Sequence, residues 1–367
     1  MKRLNIAMTN VAGLGAIQLT TSLIPALEAV PGLSIGRIYL PDRGPLSAYC
    51  RLSPGPVPLA TVRRLPNALS RLVECTVGGA RFSSAATLLV LGDVPLRTTA
   101  PQILFVQTPH ILAGLSTAVG LDGVKFRIMR AIFRANAPRV AAFIVQSEVM
   151  RDALVKEYRI DPSRVMIVQQ PPPEWLRTAP KPPRQARTVG APLCLFYPAA
   201  EYPHKNHKLL NRLALQDWSA VVARLTLTID KFGDRDDELG LDLVGRLGPA
   251  EMLQCYESSD ALLFLSTAES YGFPLVEAMW LGLPIVVADR PYARALCGDQ
   301  ALYFDEFDPR KLIDALCDLK GRLDQGWRPD WRDRLAELPK DWTAVADAIA
   351  AIAAIAIATP NTNDREV

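Results

Sequence analysis

Residues 264–284, with the apolar run that leads into them, constrain the fold more than any other stretch of the chain. Ala261 to Ser266 is an apolar run of strand length with no alternating polar positions, so it reads as a strand buried on both faces. A polar loop follows, Thr267 to Gly272. Pro274 suits the first turn of a helix, where its missing N–H is no loss. Gly282 ends that helix, and Pro284 opens a second strand, Ile285 to Ala288. Two glutamates take unusual places in this strand, loop, helix, strand unit. Glu269 sits in the loop at the strand's carboxyl end, and Glu277 is expected in the first turn of the helix. Backbone N–H groups around Tyr271 to Phe273 can hold an anion at the helix start. Two carboxylates flanking an amide-lined anion pocket suit a ligand that carries both hydroxyls and phosphate, as a nucleotide sugar does.

The run from Glu269 to Glu277, Glu-Ser-Tyr-Gly-Phe-Pro-Leu-Val-Glu, resembles the signature of retaining glycosyltransferases of the GT-B fold, family four. The resemblance implies that Glu269 lies beside the hydroxyls of the donor sugar. It implies that Ser270, Tyr271, Gly272, Phe273, Pro274 and Leu275 line the sugar and phosphate, and that Glu277 binds the ribose hydroxyls. Pro203-His-Lys-Asn-His207 is similar to the family's phosphate-binding element, which gives Lys205 the donor diphosphate. A cation there stabilises the departing nucleoside diphosphate. Gly245, Arg246 and Leu247 correspond to the backbone that meets the base. Gln107-Thr-Pro-His110 closes an earlier strand, and by the same resemblance His110 is a candidate for contact with the sugar's reacting face. The chain departs from the family at Ala199 and Ala200, where many members carry a phosphate-binding arginine.

At 367 residues the chain exceeds one ordinary core, so two domains are expected. Charge is unevenly spread: residues 1–190 carry 23 Lys and Arg against 10 Asp and Glu, and the remainder carries 18 against 28. Such asymmetry suggests that the halves face different partners. The cysteines (Cys50, Cys75, Cys194, Cys255, Cys297 and Cys317) form no C-x-x-C pair and read as buried free thiols of a reducing compartment. No secretory leader is evident, and the longest apolar run, Ala348 to Ala358, is too short to cross a bilayer.

Leu4 to Thr9 reads as a strand, and Asn10 to Gly15 as a glycine loop before a helix over Ala16–Val30. Gly13 and Gly15 are therefore placed beside a ligand, although the third glycine of a dinucleotide fingerprint is missing. Strands are expected at Leu33–Leu40, Thr87–Gly92, Gln102–Gln107, Ala141–Gln146 and Arg164–Gln169, with helices between them. Ser147 reads as a helix N-cap. The helix near residues 124–134 shows Phe126, Met129, Ile132 and Phe133 on one side and Lys125, Arg127, Arg130 and Arg134 around the rest, a pattern suited to an anionic membrane surface. Seven prolines in residues 171–192 mark a stiff linker. Beyond it, strand Leu193–Tyr197 leads through the Pro-His-Lys-Asn-His run to a helix over Lys208–Gln216. Asp234-Arg-Asp236 imitates a metal motif of another glycosyltransferase fold but lies in a charged loop, and His204 and His207 lack a third ligand, so no metal site is expected.

These readings lead to an α/β protein of two Rossmann-like, doubly wound parallel-sheet domains facing across a cleft. The boundaries are an acceptor-side domain at 1–175, a nucleotide-sugar domain at 176–340, and a closing helix with tail at 341–367 that crosses back to the first domain. The resemblance implies hexosyl transfer with retention, without an essential metal or cofactor, from a GDP- or UDP-linked sugar (mannose among the candidates). The acceptor would be a saccharide or a polyprenyl-linked saccharide, in envelope polysaccharide synthesis. The expected location is cytoplasmic, peripheral on the inner membrane face, and nothing calls for a nucleic-acid partner. Two competing readings are a scaffold that keeps the fold without turnover, suggested by Ala199 and Ala200, and a nicotinamide-dependent oxidoreductase reading Gly13 and Gly15 as its fingerprint.

Overall fold

Apolar runs bounded by glycine, proline and asparagine become the strands of two parallel sheets in the computed structural model, which describes residues 2–11, 13–41, 45–48, 59–62, 72–180, 187–233 and 235–358. The chain divides into two units, residues 1–171 with 339–367, and residues 172–338. In the first unit the strands are β1 (Lys2–Ala7), β2 (Leu33–Pro41), β3 (Leu59–Val62), β4 (Thr87–Val90), β5 (Gln102–Phe105), β6 (Val140–Val145) and β7 (Val165–Ile167). They lie in the order β3-β2-β1-β4-β5-β6-β7, every pair parallel. In the second they are β8 (Leu193–Tyr197), β9 (Val222–Leu227), β10 (Leu241–Leu243), β11 (Ala261–Phe264), β12 (Ile285–Ala288) and β13 (Leu302–Phe304). Their order is β10-β9-β8-β11-β12-β13, again all parallel.

Parallel strands joined by crossover helices are covered on both faces, which is why β4, β11 and β12 are buried at every residue. Strand order reverses between β1 and β4 in one unit, and between β8 and β11 in the other. In open sheets of this kind, ligands bind outside the carboxyl ends of the strands at that reversal. The loops after β8 and β11 carry Lys205 and Glu269, so topology brings them to one place.

The unit boundary falls at Pro171/Pro172, four residues before the expected 175. The reason is local: the short helix Glu174–Arg177 buries Leu176 and packs on the helix Pro249–Glu257 of the second unit. The closing helix Trp342–Ala358 belongs to the first unit. It packs on the helix Leu14–Glu28 and on β4, β5 and β6, burying Val345, Ala346, Ile349 and Ile352.

Several local expectations need correction. The first helix begins at Leu14, so Gly15 lies in its first turn and not in the loop before it. Gly13, its N-cap, has φ −74°, which any residue adopts, and a Cβ there would meet nothing within 4 Å. The expected helix over Lys208–Gln216 is instead a 3-10 turn, His207–Arg212, and a separate helix, Leu215–Val221. Leu213 and Ala214 are extended between them. The cysteines are only partly buried: Cys75 and Cys297 are inside, Cys194 and Cys255 half-buried, and Cys317 exposed. Cys50, Asp234, residues 181–186 of the proline-rich stretch and the tail beyond 358 lie outside the described residues.

The helix Gly120–Asn136 also corrects its expectation. Met129 and Phe133 sit in the core of the first unit, with Phe126 and Ile132 packed against it. Phe133 stacks on Phe143 at 5.9 Å and meets Tyr158 at 4.3 Å. That apolar side is therefore internal and is not available to a membrane surface. An adjoining face exposes a second apolar stripe, Leu121, Val124 and Ile128, at 90%, 43% and 53% exposure.

Candidate functional site

The two loops at the β8/β11 reversal are stapled together before any ligand is considered. The His204 carbonyl accepts from the Thr267 N–H at 2.8 Å, from Thr267 Oγ1 at 3.1 Å and from Ser266 Oγ at 3.3 Å. The Tyr197 hydroxyl donates to the Lys205 carbonyl at 2.7 Å, and the Tyr292 hydroxyl donates to the Ser266 carbonyl at 2.6 Å. Asn206 then turns the chain at φ 55°, a left-handed position that asparagine tolerates. The 3-10 turn Pro203–Lys205 is thus fixed at both ends, and Lys205 is aimed across the strand ends.

Lys205 Nζ lies 2.5 Å from Glu269 Oε1, with 14% and 15% of the two side chains exposed. The same ammonium stands 5.4 Å from the centre of the Phe264 ring. Burial pushes the Glu269 carboxyl up, but the charges of Lys205 and His204 and the hydrogen bonds from Lys205 and Ser266 outweigh it, so the group stays below its ordinary value. His207 is pushed down to about 4, by burial first and by the Lys205 charge second, and is neutral at physiological pH. A lysine ammonium has three donors. The bond to Glu269 takes one, and the others remain available to an anionic ligand.

Gly272 caps the following helix, Phe273–Trp280, at φ 104°, a backbone conformation that L side chains rarely adopt. Its carbonyl already accepts the Leu275 and Val276 N–H groups, so the first turn is formed around it. Tyr271 and Phe273 pack edge to face at 5.5 Å, and Leu275 is fully buried. Ser270 is buried and Pro274 half-buried at this start. Glu277 is not in the first turn as expected but in the second, and only 2% of it is exposed. It accepts a 2.6 Å hydrogen bond from the hydroxyl of Tyr256, on the helix Pro249–Glu257. That helix follows directly on Gly245, Arg246 and Leu247. Gly245 has φ 64°, and a Cβ there would come within 2.5 Å of Asp230 Oδ1. Arg246 is exposed and Leu247 half-buried.

Gly13, Gly15 and His110 belong to the other unit. His110 is buried in the turn Pro109–Ile111, its ring 4.8 Å from Phe126 and its Nδ1 3.4 Å from Ser116 Oγ. Arg130 donates to its carbonyl at 3.0 Å, which ties the turn to the helix below. The loop after β1 leans on a residue the sequence reading overlooked. Buried Glu74 accepts from Thr9 Oγ1 at 2.8 Å and from Asn10 Nδ2. Tyr256, Tyr292 and the half-buried Arg290–Glu306 pair at 2.7 Å were likewise not foreseen. Their partners lie 16 to 26 positions away, which periodicity cannot read. The Asp234-Arg-Asp236 loop is only partly described, and Asp236 accepts from the Gly233 N–H at 3.1 Å.

Residues 199–321 match the family model of the glycosyl transferases group 1. A serotype-specific mannosyltransferase, WbdA of Escherichia coli, is 31% identical over 78 residues, which are 21% of this chain and 10% of that protein. The match thus spans about a tenth of the length of that curated relative. Among solved structures, the chain is similar to WaaG, a glycosyltransferase involved in lipopolysaccharide biosynthesis (TM-score 0.65, 13% identity, 95% of this chain and 99% of that one). It is also similar to a point mutant of S. aureus TarM, solved with Fondaparinux, alpha-GlcNAc-glycerol and UDP (TM-score 0.64, 9% identity, 96% and 100% covered). A third is the sucrose-phosphate synthase of Thermosynechococcus elongatus (TM-score 0.66, 13% identity, 96% and 98% covered). The chain has the GT-B fold, and its residues 199–321 are similar to the glycosyl transferases group 1.

Proposed function

We propose that the protein is a retaining hexosyltransferase that moves a hexose, mannose being the first candidate, from a GDP- or UDP-linked sugar to a saccharide or lipid-linked acceptor of an envelope polysaccharide. The observation that carries this reading is the Lys205–Glu269 pair, 2.5 Å apart at the sheet reversal and next to the glycine-capped helix start at Gly272. The diphosphate of a nucleotide sugar has two charges to satisfy there, and Lys205 with the first-turn N–H groups supplies the matching positive potential. Glu269, held ionised, accepts from sugar hydroxyls and orients the ring. Glu277 accepts from the ribose, and Gly245 to Leu247 border the base. As the bond from the anomeric carbon to the diphosphate oxygen breaks, charge gathers on that oxygen, where Lys205 and the helix amides stabilise it. The acceptor oxygen bonds to the same carbon on the same face and passes its proton to the departing phosphate. The chain's own residues perform this chemistry, so the reaction is proposed to be metal-independent.

The deciding experiment is a calorimetric screen of GDP, UDP and ADP, followed by hydrolysis and transfer assays with the sugars of the preferred base. Binding with sugar release or transfer supports the reading. Tight nucleotide binding without turnover would instead make the protein a sugar-nucleotide-binding scaffold. A response to NADH alone would move it to the oxidoreductases.

The acceptor side is proposed to work at an anionic membrane surface. Among the described residues no helix is long and apolar enough to cross a membrane. The exposed stripe of Leu121, Val124 and Ile128 runs along the helix Gly120–Asn136 beside Lys125, Arg127 and Arg134. Each basic residue near an anionic surface contributes about 1 kcal/mol, weakened by salt. Co-sedimentation with anionic vesicles is therefore expected, to be lost on neutralising Lys125, Arg127 and Arg134 or on changing Leu121 and Ile128 to serine. Arg130 is left intact because it holds the His110 turn. Equal recovery in the supernatant with neutral and anionic vesicles would make the acceptor a soluble one.

A further inference from the structure

Glu277 is an unusual carboxylate: only 2% exposed, in the second turn of its helix, and past the reach of the helix's unpaired N–H groups. A buried carboxylate must be held by hydrogen bonds or charges. Here a neighbouring helix supplies one, from the Tyr256 hydroxyl to Oε2 at 2.6 Å. Tyr256 is itself fully buried, and its ring meets Phe196 of β8 edge to face at 4.9 Å. The ring is thus fixed against the central strand of the sheet, and the hydroxyl has a defined position. Burial and the Glu277 charge both push the Tyr256 phenol well up, so it stays a donor.

We infer that Tyr256 is a positioning residue for nucleotide recognition: its hydroxyl fixes the Glu277 carboxylate in the orientation that accepts hydrogen bonds from the ribose hydroxyls of the donor. This rests on the assignment of Glu277 to the ribose under the proposed function. The chain itself suggests why the support is needed. The helix Pro249–Glu257 begins directly after the segment proposed for the base, and it carries Tyr256 to Glu277 at its far end. One helix therefore links base and ribose recognition. The bond is made by a neutral donor to a charged acceptor, and removing such a donor costs about tenfold in an equilibrium constant.

The test pairs a protein change with a ligand change. UDP and GDP, and the 2′,3′-dideoxy form of each, are titrated calorimetrically into the wild type, Tyr256→Phe and Glu277→Ala. Wild type is expected to prefer the ribose form of its base. Tyr256→Phe keeps the ring and its Phe196 contact, and is expected to lose about tenfold for the ribose form and nothing for the dideoxy form. The titration stoichiometry reports the folded fraction, so partial misfolding does not imitate the result. An equal loss for both forms would make Tyr256 merely structural and overturn the inference. So would an unchanged preference in Tyr256→Phe while Glu277→Ala abolishes it; in that case the ribose assignment survives and the positioning role does not. A wild type with no preference at all would overturn the ribose assignment and the inference with it.

Discussion

Lys205→Ala is expected to lower turnover roughly a hundredfold to a thousandfold while leaving acceptor binding nearly unchanged. The basis is the charge that develops on the leaving diphosphate, where loss of one well-placed donor costs about 3–4 kcal/mol of transition-state stabilisation. Ala199 and Ala200 add no cation to that loop, which leaves His204 as the other positive group beside Lys205. Steady-state kinetics with saturating donor give the answer. Turnover within a few-fold of wild type would remove Lys205 from leaving-group stabilisation.

The same residue has a structural partner, and the two effects can be separated. Breaking a buried ion pair leaves its other member unpaired, which costs about 3 kcal/mol when the site keeps some exposure. Lys205→Met should therefore lower the unfolding midpoint as well as the rate. Adding Glu269→Gln removes the stranded charge, so the double variant should recover stability but not turnover. Acid tests the pair independently. The Glu269 carboxyl lies below its ordinary 4.5 in the folded protein, so its contribution is complete above that value. It is lost as pH falls through the lower folded value, and the Lys205→Met protein should lack this part of the acid dependence. A double variant as unstable as Lys205→Met would mean that the pair is not what holds the two loops.

The region from Ala261 to Ala288 was legible because everything about it is local. A fully buried strand, a helix entered by proline and left through glycine, and a second buried strand each leave their mark in order. The same holds for Ser147, whose Oγ accepts the Met150 N–H at 3.3 Å as an N-cap should. Errors arose where two states share one pattern. Leu209, Leu210 and Leu213 have helical spacing, yet they serve a 3-10 turn, because the left-handed Asn206 and the extended Leu213 interrupt the chain on either side. Strand β9 was passed over because Val222 follows its helix without a turn residue, serving both as its C-cap and as the first strand residue. The helix Gly120–Asn136 has apolar residues on two faces, and periodicity does not say which one is inside. Packing decides: Met129 and Phe133 fill the core, while Leu121 and Ile128 are left outside. The site divides in the same way. Glu269, Lys205 and Glu277 follow from local motifs, whereas Tyr256, Tyr292 and Glu74 act through contacts with residues 21 to 65 positions away, which one sequence does not encode visibly.

The two glutamates should separate by what each of them touches. Glu277→Ala is expected to weaken nucleoside diphosphate binding by about tenfold to a hundredfold, because a ribose loses a charged acceptor and the Tyr256 hydroxyl is stranded in the interior. Its effect on turnover at saturating donor is small, since the ribose is bound equally in the ground and transition states. Glu269→Ala is expected to do the reverse. It pairs with Lys205 and, in the proposed reaction, orients the transferred sugar, so binding of the free diphosphate, which has no sugar, is expected to be kept or strengthened as Lys205 is released from its pair. Turnover falls roughly a hundredfold or more, because the sugar is no longer oriented for attack and Lys205 loses its fixed direction. Glu269→Gln sharpens the comparison: it retains the shape and one acceptor but not the charge, and should fall between wild type and alanine in rate. Calorimetry with the free diphosphate and kinetics with the sugar donor measure the two properties separately. If Glu269→Ala lost nucleotide affinity while Glu277→Ala kept it, the two roles would have to be exchanged. The ribose would then lie beside Lys205, and the transferred sugar beside the helix that carries Tyr256.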